Sequence, residues 1–331
     1  MLATIMYGER DVRLEKVADP RLDARAEAGG MDAVVRMLAS CVCGSDLWAY
    51  RGVERLDQPR RMGHEYVGVV EQIGTNVTSV EPGDFVIAPM YVCDGTCLNC
   101  RHHVSVSCLG GGFWGSEIRD KGFADAGQGE RVRVPLADGT LVPVPVGAPD
   151  PALIPSLLTL SDVMCTGHHA ALAARVRPGS TVAVIGDGAV GQCAIIAARR
   201  LGAARIVAMS RHEPRQKLAV EFGATDVVEC VGTAESMDTA VRAVRAGGKV
   251  GYVGVPAGGA ALDIATMFPA NVGVDGGLAF VRDYIPELLP DVLDGTIQPG
   301  KVFDLDLPLA QVADAYQAMD ERRAIKVLLR P

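Results

Sequence analysis

Thr181-Val182-Ala183-Val184-Ile185-Gly186-Asp187-Gly188-Ala189-Val190-Gly191 is the stretch that decides the fold. Its first five residues are a continuous apolar run rich in β-branched side chains. Such a run predicts a strand buried on both faces of a parallel sheet. The next six read Gly-x-Gly-x-x-Gly, and helical character begins at Gln192. The motif carries meaning because a strand precedes it and a helix follows it. Its glycines permit a tight turn and let a pyrophosphate approach the free N–H groups of a helix N-terminus. Gly186, Gly188, Val190 and Gly191 are therefore candidate nucleotide-binding residues. The fold class expected is α/β, with a Rossmann-type doubly wound parallel sheet.

Toward the C-terminus, Arg205-Ile206-Val207-Ala208-Met209 reads as the next strand and ends in Ser210-Arg211. An acid at this position would accept hydrogen bonds from the ribose hydroxyl of NAD. Ser210 removes that carboxylate, and Arg211 and Arg215 offer forked donors to a 2′-phosphate, so NADP is favoured over NAD. An irregularity follows. Asp226-Val227-Val228 reads as a third strand, and Glu229-Cys230-Val231 as the end of a fourth. Parallel neighbours need a crossover of about a dozen residues, and none is present. A break is expected between Asp226 and Glu229, skipping roughly 20–30 residues of a βαβ connection. The competing reading is a single strand from Thr225 to Val231 in an abbreviated sheet.

Toward the N-terminus, residues 1–92 read as short strands separated by turns, which predicts a small β-barrel-like domain. Cys43-Gly44-Ser45-Asp46 and Gly63-His64-Glu65 lie within it. Thiolate and imidazole are both good Zn²⁺ ligands. Ser45 is placed to pass a proton, and Glu65 and Asp46 are acids able to orient a ligand histidine or approach a metal. Cys93, Cys97, Cys100 and Cys108 then fall within sixteen residues that show no strand pattern. A tetrahedral structural zinc is the natural reading. Asp162 interrupts the apolar run from Leu157 to Met164. A carboxylate there is costly unless paired, metal-bound or used as a helix cap.

These motifs together resemble the zinc-dependent medium-chain alcohol dehydrogenases, over nearly the whole chain. The resemblance implies two domains. A β-rich, GroES-like catalytic domain is expected over residues 1–152, completed by 296–331 and carrying a zinc lobe at 93–108. A nucleotide-binding domain is expected over 153–295. It also implies a catalytic zinc on Cys43, His64 and Asp162, the last standing where the family places a Cys or an acid ahead of Thr166-Gly167. Cys165 is a softer rival, three residues late. In the family's lobe the first ligand precedes Gly95; here Asp94 fills that slot and Cys93 lies one residue early, so either completes the set. Thr166 and Val253 are expected beside the nucleotide. The reaction implied is hydride transfer between an alcohol, aldehyde or ketone and NAD(P), with Ser45 carrying the proton.

Composition sets outer bounds. The chain has 331 residues and a formal net charge of −8, which gives no footing for nucleic acid or an anionic membrane surface. No apolar run reaches the roughly 18 residues that span a bilayer. Met1–Tyr7 is too short for a secretory signal. A cytoplasmic location is expected, where nine cysteines are better explained by metal than by disulfides. A small-molecule substrate and a homodimeric or homotetrameric assembly are also expected. Two other classes compete: a zinc-free NADPH-dependent quinone or enone reductase, and a non-enzymatic zinc-binding interaction protein.

Overall fold

The computed structural model describes all residues except 23–28, 119–121, 146, 148, 225, 229–235 and 255–261. The chain forms two compact units: Met1–Asp162 with Phe280–Pro331, and Val163–Ala279.

The first unit is built on a seven-stranded sheet. Its order is Val142–Pro143, Phe85–Ala88, Tyr66–Ile73, Ala33–Val42, Lys326–Arg330, Phe303–Pro308, with Arg131–Val134 also pairing with Ala33–Val42. All of its pairings are antiparallel except that of Phe303–Pro308 with Lys326–Arg330. Alternating β-branched and aromatic residues supply the inner face. Val35, Met37, Tyr66, Val70, Val86, Trp114 and Val132 form one buried cluster. Met6, Val42, Leu47, Tyr316, Val327 and Leu329 form a second. Each such side chain contributes roughly 1.5–3 kcal/mol by leaving water. Trp114 is part of this packing: it stacks edge-on to Tyr66 at 5.2 Å and donates Nε1–H to the Pro89 carbonyl at 2.8 Å. The C-terminal strand lies beside the strand that leads into Cys43, with Leu328 opposite Cys41 and Val327 opposite Val42.

The unit boundaries fall inside the expected 152 and 296. The helix Ile154–Thr159 belongs to the first unit, where Ser156 Oγ accepts from the Gly300 N–H at 3.1 Å. The helix Val281–Leu293 belongs there too, because its first turn grips the cysteine lobe. Asp283 accepts from Ser105 Oγ at 2.5 Å and pairs with His103 Nδ1 at 3.0 Å, while the Arg282 N–H donates to Tyr91 OH at 3.0 Å.

The second unit is α/β. Thr181–Ile185, Arg205–Met209 and Asp226–Val228 form a parallel sheet in that order, and Ala189–Arg200 and Glu213–Phe222 are the crossover helices. Lys249–Tyr252 and Gly273–Gly276 form a second parallel pair. One expectation is corrected here, and a second is narrowed. Among the described residues Thr181–Ile185 has one strand neighbour, at the edge of its sheet, and only Val184 of its five residues is buried. Asp226, Val227 and Val228 pair with Val207, Ala208 and Met209 in unbroken register, so no break falls within these three residues. Glu229 and Cys230, with the expected fourth strand, lie outside the described residues.

Candidate metal and nucleotide sites

The strand Ala33–Val42 delivers Cys43, and the helix Asp46–Tyr50 starts three residues later. The Cys43 N–H donates to Asp46 Oδ2 at 3.0 Å and fixes that turn. Gly63 adopts φ +103°, in the left-handed region, and a Cβ there would press on Gln128. That turn presents His64 and Glu65 just before the strand Tyr66–Ile73 begins. Asp162 closes the first unit, immediately ahead of the helix Val163–Ala173.

These four side chains converge. One donor atom from each of Cys43, His64, Glu65 and Asp162 lies within 4.8 Å of all the others. Asp162 Oδ2 is 3.7 Å from Cys43 Sγ and 3.4 Å from His64 Nε2. Glu65 Oε1 is 4.0 Å from His64 Nε2. Cys165, the rival ligand, is not in the group.

The surroundings suit a cation. Burial pushes the Cys43 thiol and the Glu65 carboxyl up. Burial works against a charged His64 as well, yet Cys43, Asp46 and Asp162 hold it well above its usual value. Glu65 Oε2 is buried without a hydrogen-bond partner. A thiol, two carboxyls and an imidazole facing one another in a largely dry pocket are the donor set that a tetrahedral zinc accepts, and the orphaned Glu65 oxygen fits the same reading.

Asp46 takes a position behind His64, its Oδ1 3.4 Å from Nδ1, while Ser45 Oγ lies 3.5 Å from Nε2. Asp46 Oδ2 also accepts from Gln128 Nε2 at 3.2 Å, and Gln128 Oε1 accepts from Tyr316 OH at 3.0 Å. Lys326 Nζ donates to Glu65 Oε1 at 2.7 Å, with both side chains essentially inaccessible to water. Gln128, Tyr316 and Lys326 are additions to the sequence reading. Only Lys326 left a signal there, as a lone lysine within the apolar run Ala324–Leu329.

In the lobe, Asp94, Cys97, Cys100 and Cys108 bring donor atoms within 4.8 Å of one another. Cys97 Sγ is 3.6 Å from Cys100 Sγ and 3.8 Å from Cys108 Sγ. Of Cys93 and Asp94, Asp94 lies in this group and Cys93 does not. Cys93 is fully buried, points to the Gly139 carbonyl at 3.0 Å, and burial pushes its thiol up to about 12. Asp94 faces the sulfurs; burial would raise its carboxyl, but N–H groups of Cys97 and Thr96 outweigh that and hold it below the usual value. N–H groups at both ends of the lobe also point at sulfur, with Asp94 N 3.2 Å from Cys108 Sγ and Leu109 N 3.5 Å from Cys97 Sγ. N–H groups aimed at sulfur favour the thiolate that a metal needs.

In the second unit the glycine loop is open where a nucleotide would need it. A Cβ at Gly188 meets nothing within 4 Å, and Gly186 has φ +117°. Gly191 is required for packing, since a Cβ there would collide with the Gly186 carbonyl. Val190 lies in the first turn of the helix Ala189–Arg200. Thr166 is on the helix Val163–Ala173, which closes on that helix through Gly167, and Val253 directly follows the strand Lys249–Tyr252. Ser210 is buried at the end of its strand, and Arg211 is exposed. Arg215 Nη1 is 3.0 Å from Asp187 Oδ1, within the glycine loop.

Residues 29–146 match the alcohol dehydrogenase GroES-like domain. A probable zinc-binding alcohol dehydrogenase of Mycobacterium tuberculosis is 33% identical over 357 aligned positions, covering 100% of this chain and 89% of the relative. That alignment is longer than this chain, so the relative carries residues without a counterpart here. The formaldehyde dismutase of Pseudomonas putida is 28% identical, with 99% and 97% covered. The solved alcohol dehydrogenase TADH from Thermus sp. ATN1 superposes with a TM-score of 0.87 at 31% identity, over 100% of this chain and 99% of that one. No described helix is long and apolar enough to cross a membrane. The chain belongs to the zinc-dependent medium-chain alcohol dehydrogenase family, and is an oxidoreductase of that type.

Proposed function

We propose that the protein transfers a hydride between an alcohol, or the matching aldehyde or ketone, and NAD(P), with NADP favoured. The observation that carries this is the convergence of Cys43, His64, Glu65 and Asp162 within 4.8 Å. Cys43, His64 and Asp162 would hold the catalytic zinc, with substrate, water or Glu65 completing the set. Zinc, when bound, polarises the substrate oxygen and makes an alcohol easier to deprotonate near neutral pH.

The remaining roles belong to side chains. Ser45, which is exposed, would take up the alcohol proton as its own hydroxyl proton leaves to solvent. Asp46 fixes the tautomer of His64 through Nδ1, so that Nε2 is left to ligate. Gln128 and Tyr316 hold Asp46 in that place. Lys326 holds one oxygen of Glu65 and leaves the other facing the donor set. A bound nicotinamide would supply the hydride acceptor, leaving the alcohol carbon as a carbonyl carbon. Asp94, Cys97, Cys100 and Cys108 would hold a second, structural zinc. Gly186, Gly188, Val190, Gly191, Thr166 and Val253 would line the nucleotide, and Arg211 would meet a 2′-phosphate. The protein would work in the cytoplasm as a homodimer or homotetramer.

Metal analysis, with an alcohol and aldehyde panel followed by nicotinamide absorbance, tests this reading. Formaldehyde belongs in the panel because the Pseudomonas putida relative is named for it. Two zincs per chain and turnover with at least one alcohol–carbonyl pair are expected. Turnover of quinones or enones by zinc-free protein would overturn it.

A further inference from the structure

We infer that Asp187, inside the glycine loop, sets nucleotide choice: it accepts the adenosine ribose hydroxyl of NAD and opposes the 2′-phosphate of NADP. This rests on the nucleotide reading above. Ser210 Oγ donates its single proton to Asp187 Oδ2 at 2.7 Å and accepts from the His212 N–H at 3.2 Å. The hydroxyl therefore has no proton to offer a phosphate. Arg215 is turned toward the loop as well, with Nη1 3.0 Å from Asp187 Oδ1 and both side chains less than one-fifth exposed. Its backbone carbonyl accepts from Gln192 Nε2 at 2.9 Å, which fixes the arginine beside the loop.

A phosphate oxygen within hydrogen-bond reach of Ser210 Oγ would lie no more than about 5.5 Å from the Asp187 carboxylate. A phosphate monoester brings roughly −1.5 to −2 charges to that spot, and like charges at this range repel. A ribose hydroxyl that comes within about 3 Å of the carboxylate can instead donate to it. Asp187 thus does from the glycine loop what an acid at the end of the second strand does elsewhere. Arg211, exposed beside Ser210, is offset by the Asp187 carboxylate, so NAD stays competitive in the unmodified protein.

The test is equilibrium binding of NADH and NADPH to the zinc-loaded protein, followed by nicotinamide fluorescence, without substrate. The unmodified protein should bind the two within about tenfold of each other. Asp187→Asn keeps an acceptor for Ser210 and removes the charge; it should shift the affinity ratio at least tenfold toward NADPH. Asp187→Glu should restore the original ratio, and Asp187→Ser provides a second neutral variant should the Asn form fold poorly. A ratio unchanged in a folded neutral variant overturns the inference. Binding of neither nucleotide to the unmodified protein would instead remove the nucleotide reading on which it rests.

Discussion

Lys326→Met separates the buried pair from its surroundings most cleanly. Lys326 and Glu65 are 1% and 0% exposed and meet at 2.7 Å, and Lys326 Nζ is also 3.4 Å from the Val42 carbonyl. Removing the ammonium leaves the Glu65 carboxyl in a dry site with only the more distant His64 imidazole, 4.0 Å away, to offset its charge. Breaking one side of such a pair costs about 3–5 kcal/mol. Glu65→Leu should cost a similar amount, since it strands the ammonium. The double variant should recover most of the loss, because an apolar replacement of the whole pair is close to neutral. Both tryptophans, Trp48 and Trp114, lie in the first unit. Tryptophan fluorescence during urea unfolding of chelator-treated protein therefore reports that unit alone. Strong positive recovery in the double-mutant cycle is expected. Additive costs, with the double variant as unstable as the two singles combined, would refute the pairing argument.

Further outcomes follow from the same geometry. Cys43→Ala should lower zinc by one per chain and abolish turnover while NADPH binding persists; full turnover in zinc-depleted Cys43→Ala protein would sink the ligand assignment. Cys97→Ser should remove the lobe's zinc and lower the thermal midpoint before it alters chemistry, which metal analysis and calorimetry check together. Cys93→Ser should keep both zincs, because Cys93 turns toward Gly139 and away from the cluster. Arg211→Ala should weaken NADPH far more than NADH, and equal losses would show that the guanidinium never meets the 2′-phosphate.

Local pattern made the frame legible. The Gly-x-Gly-x-x-Gly loop between strand and helix and the strand–turn rhythm of the first unit need only spacing and residue type, whereas the widely separated Cys43, His64 and Asp162 are joined as one ligand set only through the family resemblance. What spacing cannot show is which neighbours a fold brings across long intervals. Lys326 meets Glu65 only because the last strand pairs beside Ala33–Val42. Gln128 reaches Asp46 from a loop, and Tyr316 reaches Gln128 from a helix far along the chain. Asp187 fills an unspecified position of the glycine motif, yet its carboxylate binds Ser210 and Arg215 from the next βα unit. The lobe's fourth partner was ambiguous because adjacent residues in an extended segment point opposite ways. One-residue spacing decides between Cys93 and Asp94 only once the Gly139 turn is in place. Boundaries shifted for a similar reason: Asp283 and Ser156 tie two helices to the first unit by contacts that periodicity does not encode.

The central claim is that Cys43, His64 and Asp162 hold a catalytic zinc. A crystal of the zinc-loaded protein, with an anomalous difference map collected at the zinc edge, tests it most directly. The account predicts a peak at about 2.3 Å from Cys43 Sγ and about 2.0–2.2 Å from His64 Nε2 and an Asp162 oxygen, with a second peak among Asp94, Cys97, Cys100 and Cys108. Catalytically active crystals showing no peak beside Cys43, His64 and Asp162 would contradict it.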